Sequence, residues 1–160
     1  MEIRRATEQD IPDLLRLLGQ VGQVHHEIRP DIFPEGTIKY DATALQALLT
    51  DSNRPVFVTQ TQDGVVGYCF CVHKYMAAGP ASVERRELYI DDLCVDKDHH
   101  RMGIARGLYE YAVDYAKATG CGSLTLNVWC GNEGAMAFYA QMGLKPRNIM
   151  MELPLEESEC

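Results

Sequence analysis

One stretch limits the folds open to this chain more than any other. It runs from Leu88 to Tyr111 and reads LYIDDLCVDKDHHRMGIARGLYEY. Leu88 to Val95 is an apolar, strand-like run, and Asp96 to His100 is a charged turn. Arg101-Met102-Gly103-Ile104-Ala105-Arg106 then leads directly into a helical pattern. A strand entering a helix through a glycine-containing turn suits phosphate, because the first helical N–H groups have no intrahelical partner and sit at the positive end of the helix dipole. Gly103 has no β-carbon to hold an anion away from the backbone. Arg101 and Arg106 add formal positive charge on either side. The turn therefore reads as the site of a diphosphate-bearing cofactor.

Two nucleotide signatures are missing. Neither G-x-x-x-x-G-K-[ST] nor G-x-G-x-x-G occurs, which argues against a P-loop and against a dinucleotide-binding Rossmann unit. The turn instead resembles the cofactor turn of the GNAT superfamily of N-acetyltransferases, Q/R-x-x-G-x-G/A, with His100, Arg101, Met102, Gly103, Ile104 and Ala105 in the six positions. The Gly and Ala positions match, while His100 stands where the family has Gln or Arg. The resemblance implies acetyl-CoA as acyl donor, bound through the residues from Arg101 to Arg106.

The rest of the chain predicts elements in the order β-α-α-β-β-β-α-β-α-β. Ile3 to Ala6 reads as a strand, and Thr7 with Asp10 reads as a capping box for a helix carrying Ile11, Leu14, Leu15 and Leu18 on one face. Gly19 to Tyr40, rich in His, Pro and Gly, reads as irregular. Asp41 caps a short helix with Leu45, Leu48 and Leu49. Val56 to Thr61 and Val65 to Lys74 form a hairpin through Gln62-Asp63-Gly64. After the strand at Leu88 come a helix from Gly103 to Thr119, a strand from Ser123 to Trp129, a helix from Glu133 to Met142 and a last strand from Asn148 to Leu153. This order implies an α/β (α+β) fold with a mixed sheet and helices on its faces. The resemblance, which covers residues 1–155, makes the sheet mostly antiparallel with one splayed parallel pair. A single domain, followed by a short acidic tail at 156–160, is expected.

Composition bounds the partners. A net charge of −8 argues against general nucleic-acid binding and suits a cationic substrate. The six cysteines form no C-x-x-C pair and mostly lie in apolar runs, as reduced thiols do. MEIRRATEQD has no apolar signal core, and no apolar run reaches membrane-spanning length, so a cytoplasmic chain without membrane partners is expected. His25-His26 and His99-His100 lack ligand spacing, and no metal is expected.

Strand residues alternate faces. Leu88 and Ile90 share one parity, Leu93 and Val95 the other, and all are apolar; a β-bulge at Asp91-Asp92 reconciles them. In GNAT enzymes the equivalent strand is bulged and splays from its parallel neighbour, so the resemblance implies that the backbone of Leu93, Cys94 and Val95 holds the pantetheine arm. It also implies an N–H here that polarises the thioester carbonyl. Tyr89 to Val95 is similar to the segment of polyamine-type acetyltransferases that have Glu-Asp where this chain has Asp91-Asp92. On that match Asp91 is the expected general base, through water, with Asp92 second. Asn132, Ala135, Phe138 and Tyr139 resemble the family's N-x-x-A-x-x-F-Y signature. Asn132 then contacts the cofactor arm through its side chain, and Tyr139, about two helical turns on, is the expected acid for the departing thiolate. His25 and His26 are expected to line the acceptor pocket, since the segment from Gly22 to Gly36 lies where GNAT enzymes build it.

Together these imply an N-acetyltransferase acting by direct attack of a primary amine. A small cationic or amino-acid-like amine is favoured, with a protein amine or an aminoglycoside as options. GNAT proteins are often dimers, which makes a homodimer a further expectation. A non-catalytic acyl-CoA sensor that keeps the turn is the alternative, and a nucleotide-binding α/β protein with an unusual loop is a third.

Overall fold

Period-two alternation builds the centre of the molecule. A computed structural model describes residues 1–156. Its sheet has the order β1-β2-β3-β4-β5, from β1 (Glu2–Arg5), β2 (Val56–Thr61), β3 (Gly64–Met76), β4 (Arg85–Val95) and β5 (Ser123–Leu126). Neighbours are antiparallel except β4 and β5, which run parallel. Val56 and Val58 face one side and Phe57 the other, so two cores form. The first lies under α1 (Ile11–Ile28) and α2 (Ala42–Leu49), with Leu14, Leu17, Leu18, Leu45 and Leu48 against Tyr68 and Phe70. The second lies under α3 (Ile104–Ala118), with Ile104, Leu108, Ala112 and Ala116 against Leu88 and Ile90. α4 (Glu133–Gln141) follows β5 and has no buried residue. The expected mixed, mostly antiparallel sheet with helices on both faces and one parallel pair is what the chain adopts.

The Thr7–Asp10 capping box closes a 3-10 turn, Glu8–Asp10, from which α1 continues at Ile11. Asp10 accepts the Thr7 N–H at 2.8 Å and takes Arg4 in a two-pronged pair at 2.8 and 2.9 Å. Leu17, which the expected stripe omitted, is fully buried, and Leu15 is only a flank.

Four expectations are corrected. α1 does not stop at Gly19 but continues to Ile28, so His25 and His26 sit in its last turn rather than in a loop. Gly22 is no helix breaker: a β-carbon there would meet the Thr37 carbonyl oxygen at 2.6 Å, so the returning loop needs this glycine to cross the helix. β3 and β4 extend to Met76 and back to Arg85, because their outer ends pair with each other. β5 ends at Leu126 instead of Trp129, where its pairing with β4 runs out. Asn148 to Leu153 is not a strand: among the described residues the chain there has no ladder partner, and the sheet has five strands rather than six. Of the acidic tail at 156–160, all but Glu156 lies outside the described residues. Among the described residues no helix is long and apolar enough to cross a membrane.

Candidate active site

The parity slip in β4 is a bulge. Phe70 pairs with Asp92 and Cys71 with Ile90, which leaves Asp91 unmatched. The extra residue turns Leu93 and Val95 back to the α3 side with Leu88 and Ile90, and it turns Asp92 and Cys94 towards α1. The parallel pairing with β5 ends at Ile90 opposite Leu126. Past the bulge, β4 from Asp91 to Val95 therefore has no strand beside it on that edge, and the two strands part.

The two adjacent carboxylates have different surroundings. Asp91 Oδ2 is 2.7 Å from Lys39 Nζ and accepts the Tyr40 hydroxyl at 3.0 Å. Arg54 in turn donates to the Tyr40 oxygen at 2.8 Å. Asp91 is thus held in an ion pair with the loop before α2. Asp92 accepts the hydroxyl of the fully buried Tyr68 at 2.7 Å. Loss of water raises its pKa above the ordinary value, only partly offset by the Tyr68 hydrogen bond and by His25 and Lys39. Burial likewise pushes the Cys94 thiol up to about 12, which keeps it a neutral, inert group. Its Sγ donates to the Leu17 carbonyl at 3.7 Å.

The turn beyond β4 is anchored from α1. Asp96 is buried, pairs with Arg16, and accepts the Asp98 N–H at 3.0 Å. Arg16 also donates to the Val65 carbonyl at 2.9 Å, and Gln20 accepts the Lys97 N–H at 3.0 Å. His100, in the position that departs from the family pattern, donates from Nε2 to the Val95 carbonyl at 3.0 Å. Two left-handed residues follow, Arg101 at φ 63° and Gly103 at φ 78°. Gly103 is the N-cap of α3 and offers no side-chain cap, whereas Asp41 caps α2 and Asn132 caps α4. The first bond of α3 is Gly107 N–H to the Gly103 carbonyl, so the N–H groups of Ile104, Ala105 and Arg106 have no partner among the described residues. Nothing lies within 4 Å of where a Gly103 β-carbon would sit. An uncapped helix start with open space in front of it fits a diphosphate.

Asn132 accepts the Ala135 N–H at 3.2 Å, so its side-chain oxygen serves the helix and only its NH2 is free for a ligand. Tyr139 lies on α4 with its ring 5.2 Å from Phe138. Burial, and then the nearby Cys69 and Asp92, hold its phenol well above its ordinary pKa. Its hydroxyl has no hydrogen-bond partner among the described residues. The two histidines part company. His26 Nδ1 donates to the Phe33 carbonyl at 2.7 Å and pins the loop. The His25 ring lies 5.1 Å from Phe33, which meets Trp129 edge-on at 5.5 Å. Asp92 is thus bonded to Tyr68, and the charges of His25 and Lys39 act on it. Sequence reasoning missed Tyr68, Lys39, Tyr40, Arg16 and Asp96, because each acts through a partner far along the chain. Among the described residues no group of three His, Cys, Asp or Glu side chains is arranged to hold a metal ion.

The chain is similar to known proteins. The sequence matches the acetyltransferase (GNAT) family over residues 22–144. The uncharacterized N-acetyltransferase MJ1207 of Methanocaldococcus jannaschii is 26% identical over 149 residues, 92% of this chain and 62% of that protein. The [ribosomal protein bS18]-alanine N-acetyltransferase of Escherichia coli (strain K12) is 32% identical over 63 residues, 39% of this chain and 43% of the relative. Both matches thus span less than two thirds of the relatives' own lengths. A crystal structure of the tetramutant of BH1408 protein from Bacillus halodurans superposes with a TM-score of 0.92 at 32% identity, covering 97% of this chain and all of the other.

Proposed function

Because the chain belongs to the acetyltransferase (GNAT) family, we propose that it moves the acetyl group of acetyl-CoA to a primary amine by direct attack. One observation carries this reading: the bulge at Asp91 brings a half-buried carboxylate, Asp92, to a parted strand edge that runs on into an uncapped helix start.

Each part of the site then has a task. The N–H groups from Arg101 to Arg106, with the two arginine charges, hold the diphosphate. The free edge at Leu93 and Cys94 holds the pantetheine arm and offers an N–H to the carbonyl oxygen as negative charge develops on it. His100 already uses the Val95 carbonyl, so Val95 contributes less. Acetyl-CoA supplies the activated acyl carbon. Asp92 takes the proton from the ammonium, directly or through water. The order expected from the sequence, Asp91 before Asp92, is reversed in this proposal. Asp91 is tied directly to Lys39 and Tyr40, whereas Asp92 is hydrogen-bonded to the Tyr68 phenol, and its raised pKa lies nearer the value a base needs. Asp91 keeps the negative field that favours a cation. Tyr139, protonated at neutral pH, gives its proton to the departing thiolate.

His25, Phe33 and Trp129 form the wall for the acceptor. The acidic pair and the net charge of −8 support a small cationic or amino-acid-like amine. A protein amine is the second choice, as in the Escherichia coli relative named for a ribosomal alanine. Thiol release from acetyl-CoA, measured over polyamines, amino-acid amides, alanine-ended peptides and aminoglycosides, tests the reading. Turnover on at least one of them is expected. Coenzyme A binding without turnover on any would favour the sensor, and binding of ATP or NAD in preference to coenzyme A would overturn the reading.

A further inference from the structure

At the other end of the sheet from Asp92, three side chains form a relay that acetyl transfer does not use. His73, on β3, lies between Tyr115 of α3 and Cys121, which follows α3. Its Nε2 donates to the Tyr115 oxygen at 3.0 Å, which leaves Nδ1 bare to accept the Cys121 thiol at 3.7 Å. Loss of water, and then the charge of Arg5, hold the imidazole below its ordinary pKa, so at pH 7 it is neutral and can take a proton. A nucleophile, a base within reach of its proton and a third group that orients the base are the parts of an activated thiol.

The backbone fixes this thiol in place. After the left-handed Gly120, the Cys121 N–H bonds to the Ala116 carbonyl at 2.9 Å, and the Gly122 N–H bonds to the Arg86 carbonyl of β4 at 2.9 Å. Cys121 is half-buried and, with His73, lines an open cleft of about 540 Å³, the size of a small-molecule site. Tyr75 and Arg86 stand on the same wall, the guanidinium 5.7 Å over the ring. Lys74 lines the cleft too, and no lining residue is acidic; Glu84, 3.8 Å from Arg86 Nε, is the carboxylate set against these cations. Among the other thiols of the described residues, Cys69, Cys71 and Cys94 are buried and Cys130 is exposed.

We propose that Cys121 is a modification site, an activated thiol that exchanges with a small anionic disulfide seated in this cleft. The thiol proton passes to His73 Nδ1, and the sulfur attacks one sulfur of the disulfide. The S–S bond of the small molecule breaks, and its departing thiolate takes the proton from His73. The protein gains a mixed disulfide and one free small thiol leaves. Arg86, to which Gly122 is bonded, lies six residues before Asp92, about 20 Å along the strand. The inference therefore does not depend on the proposed chemistry.

Oxidised glutathione is the anionic probe and cystamine the cationic one, each followed on the full chain by digestion and mass spectrometry. The glutathione adduct should form on Cys121 at least about tenfold faster than on Cys130, the reverse of the order that exposure alone dictates. His73→Gln should bring Cys121 down to the rate of Cys130 and leave Cys130 unchanged, with circular dichroism checking the fold. Arg86→Gln, at an exposed side chain, should slow glutathione on Cys121 several-fold and spare cystamine. Cys121 reacting no faster than Cys130 in the parent, keeping its full rate in a folded His73→Gln, or responding alike to both disulfides in Arg86→Gln would each overturn the proposal.

Discussion

Asp92→Asn separates chemistry from folding within one substitution. If Asp92 is the base, its loss removes a general-base contribution of about 10²–10⁴-fold, or roughly 3–5 kcal/mol of transition-state stabilisation. Stability should move the other way. The folded pKa of Asp92 lies above its unfolded value because burial disfavours the charge. Between those two values the native state binds the proton more tightly, so stability falls as pH rises across the window. A neutral amide removes that loss and still accepts the Tyr68 hydroxyl. At pH 7 the variant should melt at or above the parent's temperature, about 3 °C higher for each roughly 1 kcal/mol in a chain of this size. Thiol-release kinetics from pH 5 to 9 and calorimetry with coenzyme A read the two effects apart. In the parent, kcat/KM should rise with pH through an acid limb set by the raised carboxyl; in Asp92→Asn that limb should vanish while coenzyme A affinity stays within threefold. Retention of kcat/KM within threefold, with the acid limb intact, would refute Asp92 as the base. If Asp91→Asn produced the collapse instead, the role would pass to Asp91.

Tyr139→Phe should lower kcat about 10–100-fold with unchanged coenzyme A affinity, checked by pre-steady-state thiol release. Gly103→Val forces a β-branched residue to φ 78°, costing about 1–2 kcal/mol, and fills the open space before α3; coenzyme A binding by calorimetry should weaken at least tenfold. Asp10→Asn breaks the Arg4 pair and should cost about 1–3 kcal/mol in urea unfolding at pH 7. Arg4 holds the Asp10 pKa below its ordinary value, so the parent keeps this advantage above the usual carboxylate range and loses it as pH falls through the lowered value. The gap between parent and variant should close accordingly.

Local rules carried the sequence reading where local rules decide. Four apolar residues of clashing parity, Leu88, Ile90, Leu93 and Val95, can satisfy one buried face only through an inserted residue, and Asp91 is that residue. Gly103 between a strand and a helix was legible for the same reason. Long-range partners were not. Nothing near Asp91 reports Lys39, which lies 52 positions away, and nothing near Gly22 reports that the Thr37 carbonyl would crowd any side chain there. Asn148 to Leu153 has the pattern of a strand, but a pattern cannot supply the neighbour that pairing requires. The family resemblance pointed to the acidic pair as a pair; which carboxylate is free and which is tied depends on Tyr68 and Lys39, and so on the assembled sheet.

α1 touches both ends of the proposed site. Arg16 and Gln20 secure the turn proposed for the diphosphate, and His25, in the proposed acceptor wall, stands nine residues after Arg16, about 13 Å along the same rod. Donor grip and acceptor choice are therefore set off from one another by a fixed length of helix. Deleting one residue between Gln20 and His25 would swing the histidine by about 100° around the axis and leave the anchor untouched. On the proposed function, such a deletion would change the acceptor wall while leaving the grip on the donor as it is.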